Sequence, residues 1–230
     1  MIHSVNQCIF GLKFFRLKRL LILFLFIAFT AEAQDPLRFK DEVAEIQNKY
    51  DTIWDSSLET TVFTGSSSVR IWNDLQEVFP DHQIVNSGFG GSQASDLLTY
   101  IEELVLQFNP KKVFIYEGDN DISFKKRPGK ILLDIKHIIE KIKAEHSQTK
   151  IVLIGVKPSL ARWNLKRKYV KLNRKFEKLA RHDLSLEYAN VWDIMLDGKT
   201  VREDIFIADG LHMNAKGYDL WYTVLKDFMN

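Results

Sequence analysis

Cysteine is nearly missing from this 230-residue chain: Cys8 is the only one, and it lies close to the N-terminus. Beyond it there is no thiol for a disulfide, a thiolate metal site or a cysteine nucleophile. Charge of one sign is lacking too. The 32 Lys and Arg against 30 Asp and Glu leave a formal charge of +2, which gives no argument for a nucleic-acid partner. The sequence has no internal repeat, no low-complexity tract and no linker that would divide it. The apolar run over residues 20–30 is shorter than the roughly 20 residues a spanning helix needs. What is present is an ordinary globular composition, 46% hydrophobic and 27% charged, at a length suited to one domain.

The first 33 residues read as a secretory signal. Lys13, Arg16, Lys18 and Arg19 precede the apolar run, and Ala31-Glu32-Ala33 is a small-x-small cleavage pattern that places the cut before Gln34. The alternative is an uncleaved anchor, since Phe14 and Phe15 lengthen the apolar region. The expectation is export to the periplasm or medium, with no stable membrane insertion after cleavage. Removing residues 1–33 takes away four cations, Glu32 and Cys8. That leaves 28 Lys and Arg against 29 Asp and Glu, a formal charge of −1.

Phe39, Val43, Ile46 and Tyr50 recur at helical spacing and predict a polar outer helix over 35–50, within an N-terminal extension spanning 34–59. The main domain is expected over 60–230. Its first strand is 60–64, followed by a short helix over 69–79 that carries Val69, Trp72, Leu75 and Phe79 and stops at Pro80. A second strand over 83–86 runs into Ser87-Gly88-Phe89-Gly90-Gly91. Ser92 is then placed to cap a helix with Leu97, Leu98, Ile101, Leu104, Val105 and Phe108 on its apolar face. The apolar run 113–116 suits a parallel strand covered on both sides. A helix over 129–146, a strand over 151–156, a helix over 164–182 and a strand over 188–192 follow. An irregular stretch over 193–210 and a helix over 214–228 close the chain. This alternation argues for α/β architecture: one parallel sheet, right-handed crossovers and three layers.

Several polar residues fall at the ends of these strands or before the last helix. Gly65-Ser66-Ser67-Ser68 follows strand one, Gly91 follows strand two, Asn120 follows strand three, and Asp209-Gly210-Leu211-His212 precedes the last helix. Open α/β sheets build their sites at that carboxyl edge. A serine hydroxyl needs a base to take its proton as it attacks, and histidine titrates close to working pH. A carboxylate on the other ring nitrogen fixes the tautomer, and backbone and amide N–H groups stabilise the oxyanion. Each piece has a plainer reading. Asp209 and His212 also fit a helix start, Gly91 a tight turn, and Asn120 between Asp119 and Asp121 a turn or a metal site. No further ligand lies at a recognisable spacing for a metal, and none is expected.

Taken together and in order, these blocks resemble the SGNH hydrolases, the GDSL-like esterase and lipase superfamily, from about Thr60 to the C-terminus. Gly65-Ser66-Ser67 looks like the first block, residues 86–91 the second, Gly118-Asp119-Asn120-Asp121 the third and residues 209–212 the last. The resemblance implies a three-layer α/β/α flavodoxin-like fold whose five-stranded parallel sheet runs 2-1-3-4-5. It also implies Ser67, Asp209 and His212 as a catalytic triad, with Ser67, Gly91 and Asn120 as the oxyanion hole. No cofactor is implied. The family's first block usually carries Asp where this chain has Ser66, so the choice of Ser67 among three hydroxyls rests on the resemblance.

The expected substrate is a small-molecule or glycan ester with a short acyl group, such as acetyl on carbohydrate. The alternatives are a lysophospholipase or thioesterase acting on longer chains, or a non-catalytic glycan-binding module on the same scaffold. Arg70, Ser159, Arg162 and Trp163 are candidates for lining the substrate site, whereas Trp72 fits the core equally well. His82, His137, His146 and His182 fall on helices or loops away from the motifs and read as surface groups. The basic run over 162–181 reads as a solvated helix face, or else as a surface for an anionic partner.

Overall fold

Five strands, β1 (Thr60–Gly65), β2 (Gln83–Gly88), β3 (Lys112–Tyr116), β4 (Lys150–Ile154) and β5 (Leu186–Ala189), pair in parallel in the order β2-β1-β3-β4-β5. The structure is a computed structural model that describes residue 35 and residues 37–230. The expected signal segment lies outside those residues. Every residue of β1 and β3 is buried, which is why both read as apolar or β-branched runs without alternation. The strand order reverses between β1 and β3, whose ends lie side by side with Gly65 paired to Tyr116. In such sheets the crevice outside the carboxyl ends at the reversal is where ligands bind.

The helices are α1 (Lys40–Ile53), α2 (Ser67–Arg70), α3 (Leu75–Val78), α4 (Ala94–Thr99), α5 (Ile101–Leu104), α6 (Asp119–Ser123), α7 (Pro128–Glu145), α8 (Lys166–Ala180) and α9 (Ala215–Leu225). On one side of the sheet Phe63 and Phe114 stack with ring centroids 4.2 Å apart. Trp72 and Trp221 close over that side, with Trp221 edge-on to Tyr116 at 4.9 Å. Trp72 is therefore core, exposed by only 1%. Elsewhere α7 packs against α4 and α8, burying Ile131, Ile135, Ile138 and Ile142 with Tyr169, Leu172 and Phe176. Six of the basic residues of α8 face solvent: Lys166, Arg167, Lys168, Lys171, Arg174 and Lys178.

Helix α1 falls within the compact unit Leu37–Asn230. Phe39 at its start meets Phe89 edge-on at 4.9 Å, and Tyr50 meets Phe108 at 5.6 Å. The Asn86 N–H donates to the Tyr50 hydroxyl at 2.7 Å. Among the described residues no helix is long and apolar enough to cross a membrane.

Several local expectations change, and the helix expected after Ser92 is broken at Tyr100 into α4 and α5. The helix expected over 69–79 is split into α2 and α3. The Asn86 amide donates to the carbonyls of Val69 and Trp72 and so takes up the groups a continuous helix would use. Ser92 does not cap α4. That role falls to Gln93, whose backbone N–H is held by Asp96 at 2.9 Å in a capping box. The Ser92 hydroxyl instead donates to Glu117 at 2.6 Å. Within the stretch expected to be irregular, β6 (Leu196–Asp197) and β7 (Thr200–Val201) form a two-stranded hairpin.

Candidate active site

Gly65 ends β1 with φ of +125°, and a Cβ there would stand 2.1 Å from the Tyr116 carbonyl oxygen. Only glycine lets the chain turn this closely against β3. Ser66 is extended and buried, and Ser67 opens α2. Ser68 is also buried. Of the three adjacent hydroxyls only that of Ser67 meets His212, with Oγ 2.9 Å from Nε2.

The His212 side is built by a short loop. Gly210 adopts φ of +63°, which folds residues 209–212 into a turn around the Asp209 carboxylate. Asp209 Oδ1 accepts the N–H groups of Leu211 and His212 at 2.8 and 2.9 Å, and Oδ2 lies 2.5 Å from His212 Nδ1. Burial is the largest single influence on the Asp209 carboxyl and pushes it up. The Leu211 N–H, the His212 ring and the His212 N–H outweigh that and hold it down at about 2. Asp209 is thus ionised at neutral pH, and it orients the imidazole with Nε2 toward Ser67.

Two loops face this pair. In residues 87–92, the Phe89 N–H donates to Gly65 at 2.8 Å and the Gly90 N–H to Glu42 Oε1 at 2.8 Å. Gly91 itself has φ of +75° and lies in the pocket wall. At the start of α6, Asn120 donates from Nδ2 to the Ser92 carbonyl at 2.9 Å. Its Oδ1 accepts from both terminal nitrogens of Arg162 at 3.1 Å. That fork fixes the amide with its second N–H free to donate.

Behind Asn120 lies a buried polar cluster centred on Asp119. Its carboxylate accepts Arg162 at 2.6 Å, the Tyr169 hydroxyl at 2.6 Å and the Tyr116 hydroxyl at 3.1 Å, with Lys157 Nζ at 3.7 Å. Burial pushes this carboxyl up. Lys157 and Arg162, with the Tyr169 hydroxyl, more than offset it, and the net is below the usual carboxylate range. The Lys157 ammonium is fully buried and also donates to the Leu211 carbonyl at 2.7 Å. Burial lowers its proton affinity, and the Asp119 charge works against that shift. Glu117 goes the other way. Burial raises its carboxyl well above the usual range, the Asp121 charge adds to the rise, and the Ser92 hydroxyl only partly offsets it.

The pocket over this arrangement has a volume of about 570 Å³. Ser67, Gly91, Asn120 and His212 line it, and Asp209 stands behind His212. Of the four candidates for substrate contact, Arg70 and Arg162 line the pocket; Ser159 and Trp163 do not. Ser159 is buried, and Trp163 stacks on Trp192 at 5.9 Å. Glu42 and Glu45 of α1 complete one wall. Sequence reasoning missed them because a carboxylate on a polar helix looks like any other surface group. Lys157 was missed too, although its place three residues after β4 put it on the right edge. Among the described residues no cluster of His, Cys, Asp and Glu is arranged to hold a metal ion.

The fold and strand order are those of an open α/β sheet with its crevice at the carboxyl ends of the strands. The model of the GDSL-like lipase/acylhydrolase family matches residues 54–220, and the chain belongs to that family of acyl-ester hydrolases. Among solved structures it is similar to a protein of Streptococcus pneumonia provisionally described as a platelet activating factor. That match has 26% identity and a TM-score of 0.73, covering 84% of this chain and 94% of the other. It is also similar to a GDSL-like lipase of Bacteroides thetaiotaomicron (21% identity, TM-score 0.68, 84% and 96% covered). A third is a catalytic mutant of an acetylxylan esterase from Geobacillus stearothermophilus (17% identity, TM-score 0.62, 75% and 94% covered). At the identities of the last two the likeness is one of fold. No curated protein matches the chain.

Removing the Asp119 carboxylate strands Lys157 in the interior, so Asp119→Ala is expected to cost about 3–5 kcal/mol, measured by urea denaturation at pH 7. Because folding lowers this carboxyl, its contribution is complete above the unfolded-chain value of about 4. It is lost as pH falls through the lower folded value. Wild type should therefore lose stability relative to Asp119→Asn below about pH 4, and a constant gap between the two would contradict the assignment.

Proposed function

We propose that the protein is an exported serine esterase acting on short-acyl esters of polar, hydroxyl-rich alcohols. The observation that carries the reading is the Ser67–His212–Asp209 chain of contacts at 2.9 and 2.5 Å. Ser67 Oγ attacks the ester carbonyl while His212 Nε2 takes its proton, and Asp209 stabilises the imidazolium. The oxyanion is met by the N–H groups of Ser67 and Gly91 and the free N–H of Asn120. Collapse breaks the bond to the alkoxy oxygen, which leaves with the proton from His212, and Ser67 keeps the acyl group. Water then attacks with His212 as base, releasing the acid and restoring the serine.

The substrate class follows from the wall. Of the ten lining residues only Leu211 is a large apolar side chain, while Glu42, Glu45, Arg70 and Arg162 are charged. A long acyl chain gains affinity by burying apolar surface, at about 25 cal/mol per Å², and this pocket offers little to bury it against. An acetyl group on a sugar fits such a wall better, and the acetylxylan esterase among the structural neighbours supports the same direction. Export rests on the N-terminal charge, apolar run and Ala31-Glu32-Ala33 pattern. N-terminal sequencing of the exported protein should begin at Gln34, and a start at Met1 would remove the cleaved-signal reading.

Hydrolysis of an aryl acetate by Ser67→Ala is expected to fall by at least about a thousandfold, and by Asp209→Asn by about a thousand- to ten-thousandfold. Turnover by Ser67→Ala at the wild-type rate would dismiss Ser67 as nucleophile. Across a panel of esters from acetyl to decanoyl, kcat/KM should decline with chain length; a rise would favour the lipase alternative.

A further inference from the structure

We propose that Glu42, on α1 and outside the span matched by the family, is a positioning residue for the Gly91 N–H. The inference rests on the reading of Gly91 as an oxyanion donor. That N–H is useful only if the turn carrying it is held still before the reaction, because preorganised donors cost no reorganisation as charge develops. Gly91 contributes little stiffness of its own. It sits at φ of +75°, and nothing stands within 4 Å of where its side chain would be. Its orientation must therefore come from its neighbours.

The neighbours on one side are fixed by α1. Phe39 at the helix start packs edge-on against Phe89 at 4.9 Å. One turn along, Glu42 Oε1 accepts the Gly90 N–H at 2.8 Å. The helix thus grips two consecutive residues just before Gly91, one through a ring and one through a charge-assisted hydrogen bond. On the other side, the Ser92 carbonyl accepts from Asn120 and the Ser92 hydroxyl donates to Glu117.

A carboxylate beside a developing oxyanion would oppose it, and Arg70 balances that charge. Arg70 Nε lies 3.6 Å from Glu42 Oε1. Its guanidinium also lies over Gly90, where a Cβ would come within 3.2 Å of Cζ. Glu42, Arg70 and Gly90 form one clamp on the turn. Its carboxylate comes from a helix that precedes the family's first motif.

The test compares Glu42→Ala with Glu42→Gln on an aryl acetate, after thermal melts establish that both variants fold. Losing one oxyanion donor costs about a hundred- to a thousandfold in kcat; loosening one should cost Glu42→Ala about ten- to a hundredfold, with KM within about threefold. Glu42→Gln keeps an oxygen that can accept from Gly90 and should recover most of the loss. The inhibition constant of a boronic acid, which forms a tetrahedral adduct on serine, should rise in parallel with the fall in kcat/KM. Wild-type kcat in Glu42→Ala, a change in KM alone, or Glu42→Gln no better than Glu42→Ala would each overturn the proposal. If Ser67→Ala is inactive while Glu42→Ala behaves as wild type, the positioning role fails and the esterase reading stands. If Ser67→Ala retains activity, the esterase reading itself fails.

Discussion

One buried carboxylate, Asp119, ties together the parts of the site that come from different strands. It sits at the start of α6 and is touched by the end of β3 through Tyr116, by α8 through Tyr169, and by the segment after β4 through Lys157 and Arg162. Burying a charge of either sign is costly unless the partners are close and the remaining lone pairs are satisfied. Two cations and two phenols meet that requirement here. Both cations then reach onward. Lys157 holds the Leu211 carbonyl in the loop that bears His212, and Arg162 fixes the Asn120 amide. The proposed base and a candidate oxyanion donor are thereby referenced to the same buried group.

Much of this fold could be read along the sequence. The aliphatic stripe of α7 and the apolar run of β3 depend on local periodicity, and the structure buries both. The 2-1-3-4-5 order was implied by the family resemblance that the spaced motifs carry, and the sheet has it. What escaped depends on residues far away in the chain. The break between α2 and α3 is made by Asn86, and Ser92 is drawn from its expected cap by Glu117. Asn86 lies on β2 and Glu117 just past the end of β3, outside the helices they affect. The same holds for the site. Gly65, Gly91, Asn120, Asp209 and His212 announce themselves as turn or polar residues at strand ends or before the last helix. Lys157 and Glu42 look ordinary until the fold brings them to the Leu211 carbonyl and the Gly90 N–H. Among the three adjacent hydroxyls, Ser66 is buried in the turn while Ser67 meets His212.

The pocket is lined mainly by polar and charged side chains. Its carboxylates come from α1 and its guanidinia from α2 and the segment after β4. Two carboxylates and two guanidinia thus stand beside a single large apolar side chain, Leu211. Helix α1 is therefore more than an outer cover. It is anchored by aromatic contacts to Phe89 and Phe108 and reaches the rim of the site from there.

The most direct test of the account is covalent labelling of the protein with an organophosphate serine probe, followed by peptide mass spectrometry. A nucleophile activated by His212 and Asp209 predicts a single stoichiometric adduct on Ser67. An absence of labelling, or an adduct on Ser66 or Ser68, would contradict it.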